Sequence, residues 1–313
     1  MGEMFNSPQA GGRTDRSSLY AEVTDRIIAE LETGRVPWVQ PWGSAKAALD
    51  LPANALTGRR YSGINILILW DAVIAKGFPH QHWLTFRQSL ELGGHVVKGA
   101  QGTTVYYADR FIPKGERERA ERAGEEPSAI PFLKRFTLFN IAQCEDLPAH
   151  LFEPKPIRRE SAILPEAEAL IRATGADLRI GGDRAFYAPA TDHIQVPPPQ
   201  AFFEPINWHR TALHEISHWS GAKHRLNRDQ SGTFGSALYG QEELVAELSS
   251  AFLCASLGIT PTVRHADYLG AWIDILRENN RAIFHAASRA SKAADFILAF
   301  GSSDAAQDAE SAP

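Results

Sequence analysis

His214-Glu215-Ile216-Ser217-His218 is the stretch on which the reading turns. On a helix, positions i and i+4 share a face, so the two imidazoles can converge on one metal ion. Glu215 then stands beside that ion, where a carboxylate takes a proton from a metal-activated water. The flanking residues favour a buried helix from Trp208 to Ser220. The span lacks Pro and Gly, and Trp208, Ala212, Leu213, Ile216 and Trp219 form a broad apolar surface. Gly221 is expected to end it. A second helix is predicted over Gln241–Leu257, with Leu244, Val245, Leu248, Phe252 and Leu253 on its apolar side and Gly258 at its end. It carries Glu243 and Glu247, four apart on one face among core-type residues. Carboxylates so placed need a partner, because a buried unpaired charge is costly. A metal on the neighbouring histidines would supply it; the alternative is a solvated acidic stripe at Glu242, Glu243 and Glu247.

The chain has 313 residues, 44% of them hydrophobic, which marks it as globular and long enough for two cores. Its two cysteines, Cys144 and Cys254, rule against a disulfide framework and point to a reducing compartment. No apolar stretch follows a basic start, so no secretory signal is expected. The longest aliphatic run, Ile66 to Trp70, is too short to cross a bilayer. A soluble, cytoplasmic protein without a membrane partner is the expectation.

The fold class expected is α/β of the α+β kind, in two domains. Residues 18–147 form the first, 148–164 a Pro-rich linker with Arg158 and Arg159, and 165–300 the second; 1–17 and 301–313 read as disordered tails. In the first domain, helices at Leu19–Thr33, Ile64–Lys76 and Thr85–Leu92 precede a small antiparallel meander. Its strands are placed at His95–Lys98, Thr103–Arg110 and Phe132–Ala142, with Gly99-Ala100-Gln101-Gly102 turning between the first two. Lys114–Pro127, alternating Arg and Glu, reads as a solvated excursion. A fragment ending near Leu147 is expected to fold without metal.

In the second domain, a helix near Pro165–Thr174 and a short meander (Asp177–Ile180, Arg184–Ala188, His193–Val196) lead into the motif helices. Helices around Asp267–Arg277 and Asn280–Ala299 follow. The edge of that meander, Arg184–Ala188 or His193–Val196, suits an extended peptide added as a further strand. Asp192 reads as a turn residue, His209 and His224 as structural, and Tyr239, Trp219 and Asn207 as candidate cleft residues.

Charge is balanced in the first 150 residues, with 17 basic and 17 acidic side chains, so the net charge of −5 falls in the remainder. From Pro37 to Pro113, however, basic residues outnumber acidic ones. They are interleaved with Trp38, Trp42, Tyr61, Trp70, Trp83, Phe86, Tyr106 and Tyr107. Rings that stack bases beside cations that meet phosphates are what a single-strand binder uses. A core aromatic set with ordinary surface charge is the competing reading.

His-Glu-x-x-His followed by Glu243-Leu244-Val245-Ala246-Glu247 resembles the gluzincin-type metallopeptidases. The resemblance implies zinc (Zn2+, with Mn2+ as the alternative ion) on His214, His218 and Glu243, Glu215 as the catalytic base, and Glu247 orienting a ligating His. Glu247 stands where such enzymes usually have Asp, which leaves either acid open as the direct ligand. Further phrases resemble the N-terminal single-stranded-DNA-binding domain of ArdC-type antirestriction proteins. They are Arg35-Val36-Pro37-Trp38 with Pro41-Trp42; Asn54 with Gly58-Arg59-Arg60-Tyr61-Ser62-Gly63-Ile64-Asn65; Trp83-Leu84-Thr85-Phe86; Gly93-Gly94-His95-Val96-Val97-Lys98-Gly99; and Phe136-Thr137-Leu138-Phe139-Asn140.

This second resemblance implies single-stranded DNA as a partner, with Trp38, Arg59, Arg60, Tyr61, Asn65 and Lys98 as the contact surface. It also implies a zincin-like domain and protection of incoming mobile-element DNA. The protein substrate, a host restriction or DNA-processing factor among the expectations, stays unnamed. Two other readings stand beside it: a DNA-binding shield with a purely structural metal, and a processing or toxin-like peptidase without a nucleic-acid role.

Overall fold

The computed structural model describes residues 14–39, 47–153, 164–262 and 268–310. Pro41, Trp42 and most of the connector lie outside them. In chain order the first domain comprises α1 (Thr14–Glu32), β1 (Ala53–Asn54), α2 (Ile64–Lys76), β2 (His82–Leu84) and α3 (Phe86–Glu91). These are followed by β3 (His95–Val96), β4 (Thr103–Phe111), α4 (Glu116–Ala123), β5 (Ile130–Asn140) and β6 (Cys144–Glu145). The second contains α5 (Pro165–Ala173), β7 (Asp177–Ile180), β8 (Phe186–Ala188) and β9 (His193–Val196), then α6 (Ile206–Trp219), α7 (Ala237–Ser256), α8 (Leu269–Glu278) and α9 (Ala282–Glu310). The mixed helix-and-sheet class and the two-domain layout are therefore as expected. Residues 14–17 and 301–310, taken as tails, stand in α1 and α9.

Local signals placed the long helices and the strands β4, β5 and β7–β9, while β1, β2, β6 and α4 had no counterpart in the sequence pattern. Thr85 caps α3 by accepting from Gln88 N while the Gln88 side chain accepts from Thr85 N, a reciprocal pair that fixes the helix start. The excursion between β4 and β5 is solvated: α4 carries the exposed pairs Arg119–Glu116 and Arg122–Glu118. Both cysteines are buried thiols, with no disulfide.

Strand partners differ from the expectation in both domains. The four-stranded sheet runs β1-β2-β5-β4, and β4 and β5 pair antiparallel along their length. β3 does not form a hairpin with β4 across Gly99–Gly102; it pairs with β6, His95 opposite Glu145 and Val96 opposite Cys144. The cause is close approach. A Cβ at Gly94 would lie 2.5 Å from the Glu145 carbonyl oxygen, so the glycine lets the segment after β5 dock where the hairpin was expected. In the second domain the order is β7-β9-β8, with β7 and β9 parallel, so this sheet is no meander. Ile194 and Val196 on β9 are fully buried, and the strand with the most deeply buried side chains takes the centre.

The two domains share one core. Trp38 packs edge-on to Trp272 of α8 at 5.5 Å, and Trp70 of α2 meets Phe252 of α7 at 5.7 Å. Polar contacts cross at the same seam: Thr24 Oγ1 donates to Asn280 O at 2.7 Å, and Gly63 N donates to Ser291 Oγ at 2.7 Å. A single buried cluster runs from Val23 through α2 and the motif helices to Ile297. A fragment ending near Leu147 would expose Trp38, Trp70 and much of α2 to water, which argues against its folding alone. Replacing Trp38 by Ala should cost about 3–5 kcal/mol. Urea unfolding followed by tryptophan fluorescence and by far-ultraviolet dichroism should give one coincident transition; two separated transitions would show the halves to be independent.

Candidate metal centre

α6 forms because its apolar stripe has two surfaces to cover. Leu213 and Ile216 are fully buried, and the helix packs on β8 and β9 on one side and on α7 on the other. Trp208 Nε1 donates to Pro197 O at 3.1 Å, anchoring the first turn to the end of β9. The four-residue spacing then sets the rings of His214 and His218 4.9 Å apart. α7 starts at Ser236, whose hydroxyl accepts from Tyr239 N, and it is buried from Glu242 through Ala255. Its Glu243 carboxylate points between the two rings. His214 Nε2 lies 3.5 Å from one carboxylate oxygen and His218 Nε2 lies 3.5 Å from the other.

Among the described residues these three side chains form the group able to hold a metal ion, with their donor atoms all within 4.8 Å of one another. The donor set fits a divalent ion. Tetrahedral bonds of about 2.0–2.1 Å put neighbouring donors about 3.4 Å apart, close to the two His–Glu separations of 3.5 Å. Glu215 is buried in the same helix turn, 4% exposed.

The acid that orients a histidine ring at this site is one the sequence reading left on a solvated stripe. Glu242 Oε1 lies 3.2 Å from His218 Nδ1, so the place assigned to Glu247 is filled by Glu242 at this ring. Glu247 is buried one turn beyond Glu243. Arg228 clamps Glu242 with Nε at 3.0 Å and Nη2 at 2.8 Å, and Gln230 Nε2 adds a third bond at 3.1 Å. Gly221 follows the end of α6 as expected, and it serves a second need. A Cβ there would stand 2.7 Å from Arg228 Nη2, so the glycine makes room for the guanidinium. Periodicity showed Glu242 beside Glu243, but only a loop folding back with Arg228 makes its burial tolerable.

Burial disfavours an ionised Glu243, yet the hydrogen bonds and charges of His214 and His218 outweigh it and hold this carboxyl well below the usual range. Burial likewise opposes a charged His218, but Glu242 and Glu243 together push it up to about 10. Glu242 itself is lowered to about 2, its burial outweighed by His218 and Arg228. The Tyr239 hydroxyl bonds to Glu243 and is driven upward, first by burial and then by that carboxylate.

The remaining cleft candidates separate. Trp219 is 6% exposed and packs under the Arg225 guanidinium, and Asn207 Oδ1 accepts from Arg210 Nη1 at 2.7 Å, so both are structural. Asp192 is the expected turn residue, with φ 50°, and is held by Arg225 and Tyr187. His209 is buried near Glu168, and His224 lies on Arg225 at the surface.

In the first domain, Arg59, Arg60 and Lys98 are exposed. Asn54 organises the loop that carries Arg59 and Arg60, accepting from Leu56 N and Thr57 N while donating to Gln88 Oε1. Tyr61 is half-buried beside it. Trp38 is fully buried and cannot meet a base without unpacking the domain seam. Asn65 is also committed, its amide donating to Tyr106 O at 2.7 Å and accepting from Tyr106 N at 2.9 Å. Among the described residues of this domain, the exposed large aromatic rings are Phe86, Tyr107 and Phe136. Phe86 and Phe136 lie in family-like phrases, but a phrase does not say which of its aromatics face water.

A buried His-Glu-x-x-His helix joined by a carboxylate from the next helix defines the second domain as a zincin-like metallopeptidase domain with a divalent-metal site. Residues 165–289 match the family described as a zincin-like metallopeptidase, and residues 17–139 match the N-terminal domain of anti-restriction factor ArdC. Two crystal structures of the antirestriction ArdC protein from plasmid R388 are 37% identical with TM-score 0.75, one metal-free and one Mn(II)-bound. They align over 91% and 90% of this chain and 98% of theirs. Protein y4eC of Sinorhizobium fredii is 38% identical over 91% of this chain and 95% of its own length. A DNA primase TraC of Escherichia coli is 35% identical over 91% of this chain, which spans 27% of that longer protein. The chain belongs to the ArdC family of antirestriction proteins.

A pH dependence follows from the proton that the metal-free site retains. His218, raised to about 10, is charged at neutral pH, whereas a ligating imidazole must be neutral. In the metal-free protein this proton stabilises the fold fully below the unfolded value of about 6.5, and the contribution fades as pH rises through His218's own range. Calorimetric metal titrations in buffers of different ionisation enthalpy should therefore show release of about one proton per ion at neutral pH, and tighter binding as pH rises. Proton-neutral binding would show that the site is pre-deprotonated.

Proposed function

We propose that this protein binds single-stranded DNA through its first domain and hydrolyses peptide bonds of a protein partner through its second, as part of an antirestriction function. The observation that carries the hydrolytic half is the meeting of His214 and His218 on the Glu243 carboxylate, with Glu215 buried in the same helix. Zinc is the ion proposed, with manganese as the alternative in view of the Mn(II)-bound relative. When bound, the ion supplies Lewis acidity that activates the attacking water and polarises the scissile carbonyl.

The chain's own groups do the rest. Glu215 takes the water's proton and passes it to the leaving amine. Tyr239, whose hydroxyl lies on Glu243, donates to the carbonyl oxygen as charge develops. Glu242, gripped by Arg228, holds the His218 ring in the orientation that presents Nε2 to the ion. We assign the corresponding role at His214 to Glu247, which is buried one turn beyond Glu243 on the same helix. The edge strand β8 receives the extended substrate backbone.

Support for the DNA half comes from the exposed cations Arg59, Arg60 and Lys98 and the exposed rings Phe86, Tyr107 and Phe136 on one domain. An antirestriction protein from a plasmid and a DNA primase among the relatives support this half. The partner cut would be a restriction or DNA-processing factor met on that DNA.

Glu215→Gln should retain about one metal per chain and abolish cleavage, because it removes the base and leaves the donors. Glu243→Ala should lose metal as well. A comparison of cleaved proteins in cells expressing the wild type and Glu215→Gln reads this out; identical patterns from an expressed, metal-loaded wild type would leave the metal a structural role.

For DNA, the full-length protein should prefer single-stranded oligonucleotides to duplex. Replacing Arg59, Arg60 and Lys98 together by Ala should flatten the salt dependence by about two in log–log slope. Phe86→Ala should cost about 1–3 kcal/mol if a base stacks there. Equal binding of both DNA forms, with no effect of these changes, would move the interface elsewhere.

A further inference from the structure

One side of the metal centre is walled by aromatic rings that the proposed mechanism leaves largely unused. Phe234 lies 5.5 Å from Tyr239 and 6.3 Å from Tyr268, and Tyr239 and Tyr268 are 5.9 Å apart, so the three rings touch pairwise. Tyr239 bonds to the Glu243 carboxylate through its hydroxyl, which sets the cluster directly against the metal donors. Tyr268 stacks on Trp272 at 6.4 Å with an interplanar angle of 26°, and Trp272 Nε1 donates to Gly240 O in the first turn of α7. The floor of the wall is therefore tied to the core.

Phe234 at its rim is 84% exposed. Its loop is nonetheless tightly held. A Cβ on Gly232 would lie 2.5 Å from Tyr239 N, Ser236 N donates to Thr233 O at 2.9 Å, and Gly235 takes φ 82°. A large apolar ring exposed to water, beside the metal donors and in contact with two further rings, offers a surface for an apolar side chain. Aromatic pairs gain from offset or edge contact beyond simple burial, so a ring is the best guest. A nucleotide base is a poorer fit, because residues 229–239 contain Asp229 and no Lys or Arg to meet its phosphates.

We propose that Phe234, Tyr239 and Tyr268 form the subsite for the residue flanking the scissile bond, and that the substrate is a polypeptide cut beside a large apolar, preferentially aromatic, side chain. This rests on the peptidase reading of the metal centre and specifies what it cuts.

The test uses the full-length, zinc-loaded protein and measures binding rather than turnover. Phenylalanine hydroxamate and alanine hydroxamate share the metal-binding group and differ in the side chain offered to the wall. Calorimetry should find the phenylalanine compound bound about five- to tenfold more tightly, the range expected for one aromatic contact. In Phe234→Ala, which alters an exposed position, the preference should shrink to within about twofold while alanine hydroxamate binds as before; Phe234→Tyr should keep it. Equal affinities in the wild type, an unchanged preference in Phe234→Ala, or displacement of the phenylalanine compound by a short single-stranded oligonucleotide would each overturn the subsite. Failure of both hydroxamates to bind the metal-loaded protein would instead remove the accessible metal position itself, and the subsite with it.

Discussion

The structure depends on one buried carboxylate placed between two imidazoles. Glu243, His214 and His218 are all nearly shut off from water, and none of them is tolerable there as an isolated charge. Their mutual placement demands a partner of positive charge, a proton in the metal-free protein or a divalent ion when one is bound. That demand dictates how α6 and α7 pack, and it explains why α7 carries acids along a face that otherwise belongs to the core. Glu242 and Arg228 extend the same logic outward. The guanidinium compensates the acid, the acid fixes the ring, and Gly221 leaves the space that allows both.

The second constraint is the seam between domains. Trp38 and Trp70 from the first domain pack on Trp272 and Phe252 from the second, and Trp272 also stacks on Tyr268 and bonds to the first turn of α7. A continuous run of rings thus leads from the first domain to the hydroxyl resting on Glu243. The metal centre is built on a core to which both domains contribute.

Much of this was legible from local pattern. α2 has the bounds its apolar run predicts, Ile64–Lys76, because a helix buried on nearly every side announces itself by composition. The His-Glu-x-x-His helix was equally plain, since four-residue spacing is a property of one helix alone. Strand pairing was less so. Chain order alone pairs β3 with its neighbour β4 and makes a meander of β7 through β9, because period-two alternation marks a strand without naming its partner. The partners were decided by close approach at Gly94 and by burial of β9.

Taken by itself, the amino-acid sequence determined the long helices, the histidine pair and the family, all carried by spacing within single elements or by contiguous phrases. Tertiary structure alone decided that Glu242 rather than Glu247 meets the His218 ring, that Trp38 and Asn65 are packing residues, and that Phe86, Tyr107 and Phe136 face water. Each of those outcomes depends on which side of a residue is covered by a segment far away in the chain: Arg228 for Glu242, Trp272 for Trp38, β4 for Asn65. Burial and pairing between distant segments are properties of the packed chain, and local periodicity carries no record of them.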